Sequence, residues 1–203
     1  MIAQLLIWSF TGYLLGSIPF SLIVGQLFCK KDIRTYGDGN PGAYNAWHTG
    51  GWPVGILAIV LDVGKGILPI YFARDYSGLP NWGLLVVALS PILGHIFTPF
   101  LHFHGGKAVA TTLGVWFGLT GLYGIVAFAA FVFLGSLVQQ DHAWFVINGM
   151  LGIVAYLLVT HSPAWLVGTA LINGTLMVFT HHRELSQPIQ FKENVKSFLA
   201  RGK

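Results

Sequence analysis

The sequence predicts an all-α integral membrane protein, a bundle of about seven transmembrane helices, and three observations carry that expectation. Hydrophobic residues make up 54% of the 203-residue chain and charged ones only 9%, roughly a third of the charge of an ordinary soluble domain. The mean hydropathy is +0.67. Long apolar stretches recur along the chain, separated by short polar segments rich in glycine.

Two other classes are disfavoured. A soluble fold could bury the aromatic residues, but 11 basic and 7 acidic side chains cannot cover the surface of a domain this size. A net charge of +4 and a pI near 9.3 suggest nucleic acid only superficially. The basic residues form no face with interleaved aromatics; they lie in loops and at the C-terminus, as topology signals and anion contacts.

A helix crosses the hydrocarbon core with about 20 apolar residues, which places spans at Ile2–Phe28, Trp52–Phe72, Trp82–Leu101, Val109–Leu122, Ile125–Val138, Trp144–Thr160 and Ala164–Phe179. The fourth and fifth are short and meet near Gly121–Gly124, so a single bent span or a re-entrant pair is the alternative there. The first reads as a retained span, because no basic segment precedes it and Lys30 and Lys31 follow it. Lys30, Lys31 and Arg34 follow the first span, Lys107 the third, and Arg183, Lys192, Lys196, Arg201 and Lys203 the last. With seven spans these groups share one face and Arg74 alone occupies the other, so the positive-inside rule predicts N-terminus out and C-terminus in. No soluble domain or linker interrupts the chain, which reads as one membrane-embedded domain over 1–203. The single Cys29 excludes a disulfide framework within the chain.

The polar loops are where chemistry is expected. Between Lys30 and His48 the chain places Gly37, Gly39 and Gly42 within six residues beside Arg34. Glycines that expose backbone amides, with an arginine able to fork onto a phosphate, are the ingredients of an anion site; an ordinary turn-rich loop is the equal alternative. The second loop runs from Leu101 through His102, His104, Gly105, Gly106 and Lys107 into an apolar helix. A helix N-terminus with glycine amides and a lysine suits a phosphate or a developing oxyanion, although a lysine snorkelling at a helix end has the same sequence. The spacing is not that of a Walker A loop. Asp62 and Lys65, one turn apart in an apolar span, mark the bundle interior, as an ion pair or as a wall of a wet cavity. His95 lies in the third span as a helix contact or a proton carrier, and His181 and His182 close the last span. The histidines show no metal-binding spacing, so no metal or other cofactor is expected. No Gly-x-Ser-x-Gly elbow or Cys/His pairing supplies a covalent nucleophile, so any reaction should be a direct transfer from an activated donor.

Four ordered motifs together resemble the acyl-phosphate:glycerol-3-phosphate acyltransferases of the bacterial inner membrane, the PlsY type. They are Tyr13 to Pro19, Asp32-Ile33-Arg34 through Gly39-Asn40-Pro41-Gly42-Ala43-Tyr44-Asn45, Leu61-Asp62-Val63-Gly64-Lys65-Gly66, and Gly94-His95 through His104-Gly105-Gly106-Lys107 to Thr111, covering roughly the first 115 residues. The resemblance implies a multi-pass protein of the bacterial inner membrane with cytoplasmic motif loops. It implies transfer of a fatty acyl group from acyl phosphate to the 1-hydroxyl of glycerol 3-phosphate, giving lysophosphatidic acid. An acyl phosphate is a mixed anhydride, so such an enzyme must bind phosphate, align the hydroxyl and stabilise an oxyanion, with no covalent nucleophile.

The resemblance further implies catalytic roles for Lys107, His95 and Asn45. It places Arg34, Asp38, Gly39, Asn40, Gly42, His48, His104, Gly105, Gly106, His182 and Asn194 at the substrate phosphates. The chain departs from the family where phosphate is handled: Asp38 replaces a serine, Tyr44 a threonine, His48 an arginine, His104 a lysine and Ala108 a glycine. Those exchanges make the site less cationic and should weaken binding of a dianion. The family's Ser-bearing segment has no clear counterpart in Val138–Trp144. Its terminal His-Arg-Glu-Asn-Ile aligns either with His182-Arg183-Glu184 or, through Asn194, with Glu193 to Val195. The alternatives are therefore the same fold acylating a less anionic acceptor, or a non-catalytic subunit or transporter with a partner in a membrane complex. Acyl phosphate, glycerol 3-phosphate or another small acceptor, and membrane lipids are the expected partners.

Overall fold

In a computed structural model of the chain, residues 1–193 and 195 are described. Among them the structure is helical: α1 (Ile2–Ser17), α2 (Phe20–Cys29), α3 (Ala43–Tyr76), α4 (Asn81–Ile96), α5 (Val109–Thr120), α6 (Leu122–Val138), α7 (His142–Val159), α8 (Ala164–Thr180) and the single turn α9 (His182–Leu185). Every apolar stretch expected to be a span is helical. Four meet the length and apolarity of a membrane span: Ile2–Cys29 (α1 with α2), Ala43–Tyr76, Asn81–Leu101 and His142–Val159. Helices α5, α6 and α8 are apolar but shorter, at 12, 17 and 17 residues. The 12 residues of α5 rise only about 18 Å.

Three details differ from the sequence expectation, each for a local reason. The first span breaks at Ile18-Pro19, because Pro19 has no amide to continue the helix and holds Ile18 extended (φ −62°, ψ 118°). The first loop is shorter than expected: α3 begins at Ala43, so Asn45 and His48 sit on a helical turn. Gly51 takes φ 75°, ψ −173° and kinks α3 there, which lets the apolar helix resume beyond the polar turn. Around Gly121, by contrast, two separate helices are found as expected, α5 ending where Gly121 adopts φ 63°.

The chain divides into two compact units, Met1–Gly121 and Leu122–Lys203. In the first, α1 packs on α4, α3 on α5, and α2 against α3. Missing side chains make the closest of these contacts: a Cβ on Gly16 would fall on the Pro91 carbonyl, and one on Gly94 on the Tyr13 carbonyl. In the second unit α6 packs on α7 and α7 on α8. There the α6–α7 connection pairs Gln139 with Phe191 in an isolated antiparallel bridge.

Candidate active site

The first unit gathers its chemistry at one end. Asp32 caps the turn Ile33–Thr35 by accepting from the Arg34 amide at 2.9 Å, and its carboxylate also takes the Arg34 guanidinium in a forked pair, Nε at 3.0 Å and Nη2 at 2.7 Å. The hydrogen bonds from the Arg34 side chain and amide hold the Asp32 carboxyl below the usual carboxylate range. Gly37 (φ 54°) and Gly39 (φ 75°) then turn the chain through the left-handed region, and Asp38 stands between them.

Asn45 organises this loop from the first turn of α3. Almost wholly buried, it donates from Nδ2 to Asp38 Oδ1 at 3.0 Å and to the Asn40 carbonyl at 2.9 Å. The Asn40 amide donates to the same Asp38 oxygen at 3.1 Å. The other oxygen, Asp38 Oδ2, receives Lys107 Nζ at 2.6 Å across 69 residues of sequence. Burial pushes the Asp38 carboxyl up, but the bonds from Lys107, Asn40 and Asn45 together outweigh it and hold the group below its ordinary range.

Lys107 is delivered by a loop folded tightly onto the end of α4. The Phe103 amide returns to the Thr98 carbonyl at 2.8 Å and the His104 amide to Leu101 at 3.0 Å, with His102 (φ 51°), Phe103 (φ 62°) and Ala108 (φ 60°) left-handed without being glycine. Each such residue costs roughly 1–2 kcal/mol, so the surrounding bonds hold a strained path, a habit of functional loops. The Gly105 and Gly106 amides differ in role from the sequence expectation. They donate to the Ile96 and His95 carbonyls at 2.9 and 3.1 Å, capping the helix end. Their lack of side chains matters for approach: a Cβ on Gly105 would overlap the His95 carbonyl, and one on Gly106 would meet His95 Nε2.

Behind the loops lies a buried polar cluster. Lys65 Nζ is 2.7 Å from Asp62 Oδ1 and donates to the Ile18 carbonyl at 2.8 Å, an acceptor laid bare by the Pro19 break. Ser21 Oγ donates to Asp62 Oδ2 at 2.6 Å. His95 Nδ1 lies 4.0 Å from Asp62 and 3.2 Å from Thr111 Oγ1. Lys65, His95, Ser17, Thr98, Pro41 and the Gly105–Gly106 pair line a common cavity of about 10 Å³, the space of about one water. It is too small for a phosphate, and its lining includes neither Lys107 nor Arg34.

Of the residues expected at the site, Asp38, Asn40, Asn45 and Lys107 meet directly, and His95 underlies Gly106. His48 is exposed with its ring edge-on to Tyr44 at 4.5 Å, and His104 donates from Nδ1 to the His102 carbonyl at 2.7 Å. Gly39 donates to the Tyr36 carbonyl and shapes the turn, and a Cβ on Gly42 would press on the Asn40 side-chain Nδ2. His182 belongs to the second unit, where Nδ1 donates to the Phe179 carbonyl at 2.7 Å. Asn194 lies outside the described residues. Sequence reasoning did not single out Ser17 and Thr98, and read Lys65 as half of an interior ion pair or as a wall of a wet cavity; it is both. The available signal was Pro19, which frees the carbonyl that Lys65 takes. Among the described residues no three His, Cys, Asp or Glu side chains gather as metal ligands would.

Comparison with known proteins identifies the family. The sequence profile described as glycerol-3-phosphate acyltransferase matches residues 6–190. The chain is 36% identical over 185 residues to the glycerol-3-phosphate acyltransferase of Geotalea daltonii, covering 91% of this chain and 93% of that one. It is 41% identical over 140 residues to that of Maridesulfovibrio salexigens, covering 64% and 71%. Its fold is similar to the crystal structure of PlsY, an integral membrane glycerol 3-phosphate acyltransferase, in the glycerol 3-phosphate form, with a TM-score of 0.76 and 30% identity over 89% of this chain and 90% of that one. The resemblance carried by the motifs is borne out, and the chain belongs to the glycerol-3-phosphate acyltransferase family, of the PlsY type.

Proposed function

We infer that this protein is a multi-pass enzyme of the bacterial inner membrane that moves a fatty acyl group from acyl phosphate to glycerol 3-phosphate. The family match over 6–190 and the fold shared with PlsY carry the reading. In the reaction the 1-hydroxyl oxygen bonds to the acyl carbonyl carbon, the carbon–oxygen bond to phosphate breaks, and the hydroxyl proton ends on the phosphate that leaves. The products are lysophosphatidic acid and inorganic phosphate, a phospholipid precursor and its by-product.

The roles of individual residues are part of the proposal. Lys107 is the cation that meets substrate phosphate and the charge developing on the transferred carbonyl, supported by its place where the two glycine loops meet. Arg34 is a second phosphate contact and Asn45 fixes the loop that presents the acceptor. His95 holds the Gly105–Gly106 turn from beneath and faces the cavity. Seven spans with N-terminus out remain our reading of the topology. The basic loops support it, and the contact between the first and third inter-span loops supports an even number of crossings between them. The match across 6–190 likewise supports treating the chain as one catalytic domain.

A second reading, the same transfer to a less anionic acceptor, is favoured by one observation: Asp32 and Asp38 already engage Arg34 and Lys107. Purified protein incubated with labelled acyl phosphate and an equimolar mixture of glycerol 3-phosphate and glycerol separates the two by mass spectrometry of the products. Lysophosphatidic acid as the main product is expected. Predominant monoacylglycerol would overturn the acceptor, and no acylated product would overturn the activity.

A further inference from the structure

We propose that Asp38 is an internal counter-ion that occupies the phosphate position on Lys107 in the free enzyme, and so determines how tightly a phosphate-bearing substrate binds. The inference rests on the acyltransferase reading above and concerns Asp38 in the first glycine loop.

Three donors converge on this one carboxylate: Lys107 Nζ at 2.6 Å, Asn45 Nδ2 at 3.0 Å and the Asn40 amide at 3.1 Å. A cation, a side-chain amide and a backbone amide aimed at two oxygens are what a phosphate monoester would itself require. The carboxylate therefore sits as a substitute anion in a ready-made cradle. Local geometry does not impose the contact, since its two ends are 69 residues apart. The pair is also displaceable. The Lys107 and Asp38 side chains are 23% and 40% exposed, and ion pairs open to water contribute little. A phosphate approaching Lys107 must either move Asp38 aside or sit against a like charge, and both weaken its binding. Because the carboxyl is held ionised, it is a poor base for the acceptor hydroxyl, and competition for the lysine is the role its geometry supports.

Both substrates carry phosphate, and the experiment distinguishes them. The Michaelis constants for glycerol 3-phosphate and for acyl phosphate are measured separately in wild type, Asp38→Asn and Asp38→Ser. Asp38→Asn removes the charge while keeping an acceptor for Asn45 and Asn40, which guards against a folding failure. Binding of inorganic phosphate is read independently from the rise in melting temperature it produces. The expected result is a fall of roughly three- to tenfold in KM for one of the two substrates, a rise in kcat/KM for it, and stronger stabilisation by inorganic phosphate in both variants. The substrate whose KM falls is the one whose phosphate rests on Lys107. Unchanged or raised KM for both substrates, or a fall in kcat/KM, overturns the proposal; the latter would mean that Asp38 takes part in the chemistry. A wild-type protein that forms no lysophosphatidic acid would instead overturn the assigned activity, while the phosphate-binding comparison would still test Asp38.

Discussion

Lys65 and Asp62 meet at 2.7 Å in the helix interior with 1% and 2% of their side chains exposed, whereas Lys107 and Asp38 meet at 2.6 Å at the loop surface with 23% and 40% exposed. The chemistry of the two contacts is the same and the surroundings are opposite. In the interior neither ion has water to return to. Lys65 is further tied to the Ile18 carbonyl and Asp62 to Ser21, so the pair acts as a pillar joining α3 to the broken first span. At the loop each ion has water as an alternative, so the contact can be exchanged for a ligand. Environment separates a locked lysine from an exchangeable one.

The largest expected effect breaks the interior pair. Asp62→Ala leaves the Lys65 ammonium buried without its carboxylate and should cost about 3–5 kcal/mol of stability, read as a large drop in melting temperature in detergent. Replacing both partners by apolar residues, Asp62→Leu with Lys65→Met, should recover most of that loss. If the single and double variants melt together, the pillar is misassigned. A smaller effect is expected in the loop scaffold. Gly105→Ala drives a Cβ into the His95 carbonyl, and overpacking of this kind costs about 1–3 kcal/mol. It should displace Lys107 and lower kcat/KM more than it lowers thermal stability. Equal activity with alanine there would show that the close turn does not position the lysine. Smallest is Asp32→Ala, which removes the cap on the Ile33–Thr35 turn and the fork on Arg34, for a change of about 1 kcal/mol or less. A shift beyond that in chemical denaturation would mark Asp32 as more than a local cap.

Much of this comparison was legible in the sequence because it rests on periodicity and cost. Apolar runs had to be helices in lipid, and two charges one turn apart in such a run, Asp62 and Lys65, had to pair or face a wet cavity. The convergence of the first and third loops followed from counting spans. Three things were hidden. The start of α3 at Ala43 was hidden because the apolar run begins only at Trp52, and the polar turn before it joins the helix through a kink at Gly51, where φ is positive. The amides of Gly105 and Gly106 looked open to a ligand, because nothing in the sequence reveals that the loop folds back on the carbonyls of His95 and Ile96. Asp38 could be seen as a replaced hydroxyl, but its hold on Lys107 is a contact across 69 residues that no local pattern encodes.

The central claim is that Lys107, and not the buried Lys65, is the cation that works on substrate. It is tested most directly by the rate of lysophosphatidic acid formation from acyl phosphate and glycerol 3-phosphate in Lys107→Ala beside wild type, with melting temperatures taken on the same samples. The expected result is a loss of roughly 100-fold or more in kcat/KM at a nearly unchanged melting temperature. Wild-type activity in Lys107→Ala would contradict the account.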